Sequence, residues 1–451
     1  MEKIIKQIED LIIKKKYIEA SQLFSKEENK QVLSSTRGLN LYGICERALG
    51  RPQNAINAYL RSLKIFSKQP GIWTNLGNAF KDINKLESAA ESHAMAEKLL
   101  SKNDVLILYN HAIALAANNQ HGQAITLYEK ALKVEPNKKE IYWDLARSQL
   151  ALFDYKNGWK NYRARWNSPD AGENKYNEKT WAGEKLKDKV LFVYCDQGFG
   201  DYIQCFRYID NLLKESPKCI LIEVKNELMN LVVATTQNIE QIQIISYKPV
   251  KQNILFDYSI AITDLPIIYA KYYQKIESKF PYLRNIPLTE NSLKSLFDND
   301  KLKIGIVWSG SLTFKRNNHR SPDVRYYLEN LNLPGVQLYS LQKGEKSKEA
   351  DKYDSLIINL DKHINDYADT AQITGQLDIV ISMCTSVVHL CGALNKECWV
   401  ALDYSCHWLW GIDQDTTNWY PSLTLVRQRS PGDWFGVFDK LQAMLIKRLA
   451  R

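Results

Sequence analysis

The sequence predicts a helical repeat array in the first third of the chain, followed by two α/β lobes that are each built on a parallel sheet. The array is predicted by small residues that recur every 34 or 35 positions up to Gly158. The lobes are predicted by short apolar runs that alternate with helical patterns from Val190 onward. Each unusual polar motif also directly follows one of these runs, which is where open parallel sheets bind ligands.

Three equivalent positions define the repeat. Small residues occupy the first position of every unit: Ala20, Ala55, Ala89, Ala124 and Gly158. Twelve residues before the last four of these, the residue is again small, and four residues before that it is large and apolar: Gly43, Gly77, Ala112 and Ala146, preceded by Leu39, Trp73, Leu108 and Tyr142. Small residues let two helices approach and large ones fill the groove beside them, so the units must stack. We expect helical hairpins over residues 1–166 with a groove for a peptide or partner protein; packing or dimerisation is the alternative use.

The residue pattern of the chain changes after Trp166. A polar stretch with Pro169 and Gly172 predicts a linker over 167–187. The first lobe is expected over 188–300 and the second over 301–451. Strands are predicted at Val190–Cys195, Ile220–Val224, Gln241–Ile245, Phe256–Ile262, Lys303–Trp308, Val336–Leu341, Leu377–Ser382 and Cys398–Leu402. Helices are predicted at Tyr202–Leu213, Asp366–Gln376, 385–394 and Asp433–Leu449, the last with Asp433 as its N-cap.

Composition and charge exclude several classes of protein. The net charge of +9 is scattered, and no nucleic-acid-binding motif accompanies it, so no nucleic-acid partner is expected. The eight cysteines include no CxxC pair, which favours a reducing compartment. The first 16 residues read as a charged amphipathic helix rather than a signal peptide, and no run of 18 apolar residues predicts a membrane span. We therefore expect a cytoplasmic protein.

The first motif, DQGFGD, lies between the first strand of the first lobe and a helix. Gly198 and Gly200 permit a tight turn and a close backbone approach to an anion, and the helix N-terminus offers free N–H groups. The third glycine of a dinucleotide fingerprint is missing. Asp201 is either a helix N-cap or, if it faces a cleft, a general base that acts on an acceptor hydroxyl.

The second motif, SMCTSVVH, has the same position in the second lobe. Thr385 and Ser386 would offer hydroxyl and N–H groups to a pyrophosphate at the helix start. His389 lies one turn further on and could reach a phosphate oxygen, although a single histidine at such a place is more often structural. A role for Cys384 as a nucleophile would need a paired base, and no such signature is present.

A third group of candidates follows two other strands of the second lobe. Ser309 and Gly310 open a polar, basic loop that continues through Lys315, Arg316 and His319, and a solvated loop is the alternative reading. Basic groups there would offset the charge of a departing diphosphate. Gln342 and Lys343 end the next strand and could line the same pocket. We find no convincing DxD motif, so neither a metal nor another cofactor is implied.

These segments carry a family resemblance. NGWKNYRARW, WAGEKLKDKVLFVYCDQGFGDYIQCFRYI, GIVWSGS with NNHRS, LYSLQKG, YADTAQITGQLDIVISMCTSVVHLCGAL, NWYPSLTLVRQ and GDW occur in this order. Together they resemble bacterial tetratricopeptide-repeat glycosyltransferase-like proteins over nearly the whole chain. That family is similar to the heptosyltransferases and, more distantly, to the O-GlcNAc transferases.

The resemblance implies a tetratricopeptide-repeat solenoid followed by a GT-B glycosyltransferase domain of two Rossmann-like lobes, with the nucleotide-sugar donor mainly in the second. It matches Asp201 to the proposed base, and Thr385, Ser386 and His389 to residues near the donor phosphates. Relatives usually carry Asp, in contact with the donor sugar, at the position of Cys384. A neutral thiol cannot accept two strong hydrogen bonds, so either the sugar differs or catalysis is weakened. Relatives usually carry Glu at the position of Asp196, and this is a milder change than the one at Cys384.

The sequence therefore predicts a metal-independent, inverting glycosyltransferase. It would move a sugar from a nucleotide-sugar to an acceptor hydroxyl, on a protein that the repeat array recruits. Two alternatives stay open. One is a protein-binding scaffold with a degenerate transferase domain, and the other is a transferase that acts on a glycan or lipid precursor.

Overall fold

The chain forms two compact units, Met1–Ser148 and Gln149–Arg451. The computed structural model describes residues 1–100, 102–167, 174–176, 178–270, 279–314 and 316–450. Lys315, the predicted donor-binding residue, and the linker positions Pro169 and Gly172 lie outside the described residues. The predicted order of a helical region and then an α/β region with parallel sheets is confirmed.

The first unit is a series of helical hairpins. Its helices are α1 (Glu2–Ile13), α2 (Tyr17–Ser25), α3 (Thr36–Ala48), α4 (Pro52–Ile65), α5 (Pro70–Asp82), α6 (Leu86–Lys98), α7 (Val105–Ala117) and α8 (His121–Val134). A 3-10 segment, Glu27–Ser34, precedes α3, and α9 (Lys139–Ala151) crosses into the second unit.

Close helix approach explains the small residues of the repeat. A Cβ at Gly43 would lie 2.4 Å from the ring of Tyr59, and one at Gly77 would lie 2.6 Å from the ring of His93. The small residues of the second helices, such as Ala55 and Ala124, are fully buried. Substitution at these positions would push the paired helices apart.

A fourth repeat position, four residues after each small residue, holds an aromatic ring. It is occupied by Phe24, Tyr59, His93 and Tyr128 in the first unit. His93 is the exception, because its imidazole is 1% exposed and neither ring nitrogen has a hydrogen-bond partner. Burial lowers the pKa of His93 to about 3, so the ring is neutral at neutral pH.

We expect His93→Phe to stabilise the first unit by about 1–2 kcal/mol at pH 7, because it removes two unpaired buried polar atoms. It should also weaken the acid sensitivity of this unit. The unfolded chain protonates this histidine near pH 6.5 whereas the folded chain does so only near pH 3, so stability falls as the pH drops through that interval. Thermal denaturation between pH 4 and 7.5 measures both effects.

Tyr128→Phe is the matched control, since it alters the equivalent ring without removing a group that titrates in this range. His121, whose pKa burial lowers to about 4, should leave part of the pH dependence in the His93→Phe variant. An unchanged dependence on pH in His93→Phe would show that His93 does not limit the stability of the unit.

The second unit contains two parallel sheets. The first has the strand order β3-β2-β1-β4 and the second the order β10-β9-β8-β5-β6-β7. The strands are β1 (Val190–Tyr194), β2 (Cys219–Val224), β3 (Ile242–Ser246), β4 (Tyr258–Ala261), β5 (Leu302–Val307), β6 (Val336–Ser340), β7 (Ile357–Asn359), β8 (Ile379–Met383), β9 (Cys398–Leu402) and β10 (Leu423–Arg427). Neighbouring strands are parallel throughout, so their carboxyl ends share one edge in each sheet.

Helices cover the sheets of the second unit. They are α10 (Tyr155–Tyr162), α11 (Phe199–Phe206), α12 (Ile209–Lys214), α13 (Asn226–Thr236), α14 (Leu265–Tyr269), α15 (Asn291–Lys294), α16 (Asn317–Arg320), α17 (Val324–Leu331), α18 (Tyr367–Gln376), α19 (Ser386–Ala393) and α20 (Trp434–Leu449). Asp433 caps α20 through the amide of Gly436, as its sequence position predicts. Within the described part of the chain, no helix is both long and apolar enough to cross a bilayer.

The helix predicted over Tyr202–Leu213 is two helices. α11 starts three residues earlier and ends at Phe206, and α12 begins at Ile209. The guanidinium of Arg207 donates to the carbonyl oxygens of Gln204 and Trp419, the latter 212 residues away. The break therefore depends on distant contacts rather than on local sequence.

The predicted linker is packed where it is described. Tyr176, Trp181 and Leu186 are buried against the first sheet, and Thr180 forms a parallel bridge with Ser259. The division between the units also falls at residue 148, before the predicted end of the array at 166. Helix α10 belongs to the second unit, where its Trp159 packs against the rings of Trp408 and Trp419.

Candidate functional site

The first part of the site lies at the carboxyl ends of β1 and β4. Asp196 follows β1, and both its oxygens are occupied: one accepts from the amide of Thr263, and the other from the hydroxyl of Thr263 and from Arg165 Nη2 at 2.9 Å. Arg165 also pairs with Asp264. The result is a buried network of one guanidinium and two carboxylates, and the more exposed guanidinium of Arg163 lies 3.5 Å from Asp264.

Asp201 lies beside this network in the first turn of α11. The N-cap residue of this helix is Gly198 rather than Asp201, but the carboxyl of Asp201 accepts from amides at the helix start, so a capping role for it stays open beside that of a base. The carboxyl is partly buried, and desolvation together with the charge of Asp196 raises its pKa to about 6. Hydrogen bonds from the amides of Gly198 and of Asp201 itself, and the charge of Arg165, oppose this rise. A carboxylate with a pKa near neutrality is suited to general base catalysis.

The two predicted motifs meet where α11 contacts α19. A Cβ at Gly200 would lie 2.8 Å from Cδ2 of His389 and 3.4 Å from Cα of Ser386. The absence of a side chain at Gly200 therefore lets the start of one helix approach the start of the other. Asp201 is the next residue along α11.

His389 is a neutral residue in this contact. Its Nδ1 lies 2.9 Å from the hydroxyl of Tyr420, and its ring packs 5.6 Å from that of Trp410. It is 8% exposed, and burial lowers its pKa to about 3, with further lowering by the charges of His407 and Arg207. Its chemistry near pH 7 is thus that of a neutral hydrogen-bonding group rather than a cation.

The N-terminus of α19 has no side-chain cap. Thr385 occupies the N-cap position, but its hydroxyl accepts no hydrogen bond from the amides of the first turn. It lies instead 3.2 Å from the hydroxyl of Ser382. The hydroxyl of Ser386 accepts a hydrogen bond from that of Tyr367 at 2.6 Å. Uncapped N–H groups at a helix start are the usual partners of phosphate groups.

The loop after β5 closes on the carboxyl ends of β8 and β9. Arg316 donates to the hydroxyl of Ser405 at 3.0 Å and to Asp403 at 3.3 Å. Burial raises the pKa of Asp403, while Arg316, Arg320 and His319 lower it. A Cβ at Gly310 would lie 2.3 Å from Arg320 Nη2, so a side chain there would displace the end of this arginine. Among the predicted basic residues, Arg316 and His319 therefore lie near one buried carboxylate.

Cys384 lies between this loop and α19. Its carbonyl oxygen accepts from Arg320, and its thiol sulfur accepts from the indole N–H of Trp410 at 3.1 Å. Burial raises the pKa of Cys384 to about 12, so the sulfur is a protonated thiol near neutral pH. It is a poor nucleophile in this state.

Gln342 and Lys343 occupy different surroundings. The side-chain amide of Gln342 is buried and bonded to the backbone of Trp308 and Ser309, so it fixes the start of the loop. Ser309 is itself buried and accepts a hydrogen bond from Asn317. The ammonium of Lys343 is exposed and pairs with Asp361 at 3.1 Å, outside the cluster formed by Arg316 and Asp403.

Sequence reasoning did not identify Arg165, Thr263, Asp264 or Asp403. An arginine between Tyr162 and Trp166 is an available signal, since buried guanidinium groups commonly stack on aromatic rings. Asp403 directly follows β9, which is a position that marks ligand sites in parallel sheets. Across the residues for which the structure is described, no three His, Cys, Asp or Glu side chains converge as metal ligands.

Comparison with known proteins supports the helical array. Residues 106–138, which span most of the α7–α8 hairpin, match the tetratricopeptide repeat model. Protein FlbA of Caulobacter vibrioides is 24% identical, with 88% of this chain and 70% of FlbA covered. The crystal structure of MamA is 17% identical over 36% of this chain and 94% of MamA, with a TM-score of 0.32. Pseudomonas aeruginosa PilF is 16% identical over 38% of this chain and 77% of PilF, with a TM-score of 0.34.

Proposed function

We propose that this protein is a glycosyltransferase that transfers a sugar from a nucleotide-sugar to an acceptor hydroxyl. The observation that carries the proposal is the contact of Gly200 with the first turn of α19. Asp201, whose carboxyl has a pKa of about 6, follows Gly200 on α11, and the start of α19 that Gly200 contacts is uncapped and suited to a diphosphate. The two parallel sheets agree with a GT-B arrangement of two lobes, as the family resemblance implies.

In the proposed reaction, Asp201 accepts the proton of the acceptor hydroxyl. The resulting oxygen nucleophile attacks the anomeric carbon of the donor, and the bond from that carbon to the diphosphate oxygen breaks. A single displacement of this kind inverts the configuration at the anomeric carbon. The nucleoside diphosphate leaves with the bonding electrons, and no metal ion is required where amide and guanidinium groups offset its charge.

The donor side would be formed by the second lobe. The N–H groups of Ser386 and Val387 would bind the diphosphate, and Arg316 would add positive charge from the loop after β5. His389, as a neutral ring, would contribute hydrogen bonding only. Cys384 would meet the sugar as a neutral thiol, which predicts a donor sugar different from one that pairs with a carboxylate.

The acceptor is proposed to be a cytoplasmic protein that the repeat array binds. Tetratricopeptide arrays bind peptides and partner proteins through stacked hairpins, and the match at residues 106–138 supports this role. A glycan or lipid precursor is the alternative acceptor, in which case the array would serve assembly.

One observation favours a second function, a binding scaffold without transferase activity. The thiol of Cys384 is held by Trp410 and is protonated, so it cannot replace a carboxylate in binding sugar hydroxyls. In this version the array would be the functional part, and the second unit would bind a nucleotide without turnover.

We expect a nucleoside diphosphate to raise the thermal stability of the protein. At 100 times its dissociation constant, a ligand stabilises the folded state by about 2.7 kcal/mol. UDP, GDP, ADP, CMP and their sugar conjugates would be compared by differential scanning fluorimetry. A shift with one base identifies the donor, whereas the absence of a shift with all of them contradicts a nucleotide-sugar site.

Arg316→Gln tests whether the shift comes from the proposed donor site. The loss of one charge-assisted contact should weaken binding about tenfold. Arg325→Gln is the matched control, because Arg325 is also paired with an aspartate but is exposed on α17. Equal weakening in both variants would place the nucleotide elsewhere.

A further inference from the structure

Described residues surround the guanidinium of Arg165. Its side chain is 1% exposed and lies 4.9 Å from the ring centre of Tyr162 and 4.5 Å from that of Trp166. One terminal nitrogen bonds Asp264, and the other bonds Asp196 and the hydroxyl of Thr263, each of the last two at 2.9 Å. Such a set of contacts holds both carboxylates in one orientation.

Arg165 comes from a part of the chain outside the two sheets. It lies in the 3-10 turn Arg163–Asn167, directly after α10, whereas its partners follow the carboxyl ends of β1 and β4. The last helical hairpin thus supplies a cation to the edge of the first sheet where the DQGFGD motif begins. Sequence reasoning assigned this segment to the repeat array and gave it no role in the site.

We propose that Arg165 is a positioning residue for the reaction, which orients Asp196 and keeps it ionised and thereby controls the ionisation of Asp201. The inference rests on the proposed role of Asp201 as the base. It deepens that role by assigning the control of the base to the last helical hairpin rather than to either lobe.

The charges of the network explain this control. Arg165 faces both carboxylates, and Arg163 also faces Asp264 at 3.5 Å, so Asp264 has a second cationic partner whereas the ion pair of Asp196 is with Arg165. The charge of Asp196 raises the pKa of Asp201, and the charge of Arg165 lowers it. Burial alone would favour the neutral form of Asp196, which the pairing with Arg165 opposes. The balance leaves Asp201 with a pKa near neutral pH.

Several other groups face Asp201 or the segment that carries it. They are Tyr162 at the end of α10, Cys205 on α11, His389 on α19, and Asp264 after β4. Tyr162 and Cys205 have pKa values raised far above neutrality by burial, and His389 is neutral. Asp196 and Arg165 are the charged side chains whose effect on the pKa of Asp201 is resolved, and Arg163 reaches this network only through its pairing with Asp264.

The test is a carboxyl titration by NMR of the full-length protein with [γ-13C]aspartate, in which Asp201→Asn identifies the Asp201 signal. Asp196→Asn should lower the apparent pKa of Asp201 by about one unit, because it removes a neighbouring negative charge. Asp264→Asn is the matched control: it removes the other carboxylate from the same guanidinium and should move the Asp201 signal much less.

Arg165 itself is tested in the Asp264→Asn background. Arg165→Gln combined with Asp264→Asn removes one positive and one negative charge, so the buried network keeps its net charge and the variant avoids a second uncompensated carboxylate. Without a guanidinium beside it, the buried carboxyl of Asp196 becomes protonated, so relative to Asp264→Asn alone the Asp201 titration should fall by about one unit, as in Asp196→Asn. A rise, which the direct loss of a positive charge would give, contradicts control through Asp196. No change between these two variants, or equal shifts in Asp196→Asn and Asp264→Asn, would overturn the proposal.

The titration needs no substrate, so it separates this proposal from that of glycosyl transfer. Downward shifts in both Asp196→Asn and Arg165→Gln establish the control of Asp201 even if no donor is ever turned over. Where turnover is measurable, the acidic limb of the pH profile should move with the NMR titration in each variant, while a purely structural role of Arg165 would leave that limb in place.

Discussion

Asp201→Asn is expected to lower the rate of sugar transfer by a factor of about 10² to 10⁴, the contribution usual for a general base. The assay uses the nucleotide-sugar identified by thermal shift, with donor hydrolysis as the readout when the acceptor is unknown. In the parent protein, activity should fall as the pH drops through about 6, because Asp201 accepts a proton only as a carboxylate.

The stability of Asp201→Asn distinguishes a chemical effect from misfolding. The folded pKa of Asp201 is raised above the unfolded value of 3.8, so ionisation of this group costs stability above pH 6, and the cost disappears as the pH falls toward 4. Asparagine cannot ionise, and we expect a gain of about 1–2 kcal/mol at pH 7 after allowance for partial exposure.

If Asp201→Asn is more stable than the parent protein and nearly inactive, the result supports Asp201 as the general base. Asp210→Asn, at an exposed position on α12, is the control and should change neither property. Full activity in Asp201→Asn would remove Asp201 from the mechanism.

Gly200→Ala is expected to destabilise the second unit by about 1–3 kcal/mol, although alanine is the better helix former. The reason is that the new Cβ would lie 2.8 Å from the ring of His389 and would force α11 and α19 apart. Urea denaturation gives the free energy of unfolding. Transfer activity should also fall, because the proposed base and the proposed diphosphate site are held together by this contact.

Two further variants identify the cause. Gly122→Ala is the matched control: Gly122 is also the second residue of its helix, and a Cβ there meets nothing within 4 Å, so the change should be neutral or stabilising. His389→Ala added to Gly200→Ala should recover part of the loss, since it removes the ring that the new Cβ meets. A stabilised Gly200→Ala would show that the two helices have room to separate.

Most of the parallel strands were predictable because they are buried on both faces and so form continuous apolar runs; β3, an edge strand with Gln243 and Ser246 exposed, is an exception. The predicted Val190–Cys195 and Cys398–Leu402 differ from β1 and β9 by one residue at most. β7 and β10 were not predicted; they are the two edge strands of the second sheet, and β7 has only three residues. Short edge strands carry less of the apolar signal.

The position of the candidate site could be predicted only in part from the sequence. Because carboxyl ends of parallel strands share an edge, the sequence alone could group Thr385, Ser386 and the loop at Ser309. It could not reveal that Gln342 serves the loop backbone or that Lys343 pairs with Asp361, since both depend on side-chain direction. The neutral state of His389 depends on burial, which a motif does not encode.

The assignment of α10 to the second unit has a consequence for how such chains can diverge. Recombination that adds or deletes whole hairpins before residue 148 leaves every residue of the second unit in its place. Loss of residues 149–167 would instead remove Trp159 from its aromatic partners and Arg165 from Asp196. Descendants of one ancestor can therefore differ freely in the number of early hairpins, while the last hairpin is inherited together with the two sheets as a single evolutionary module.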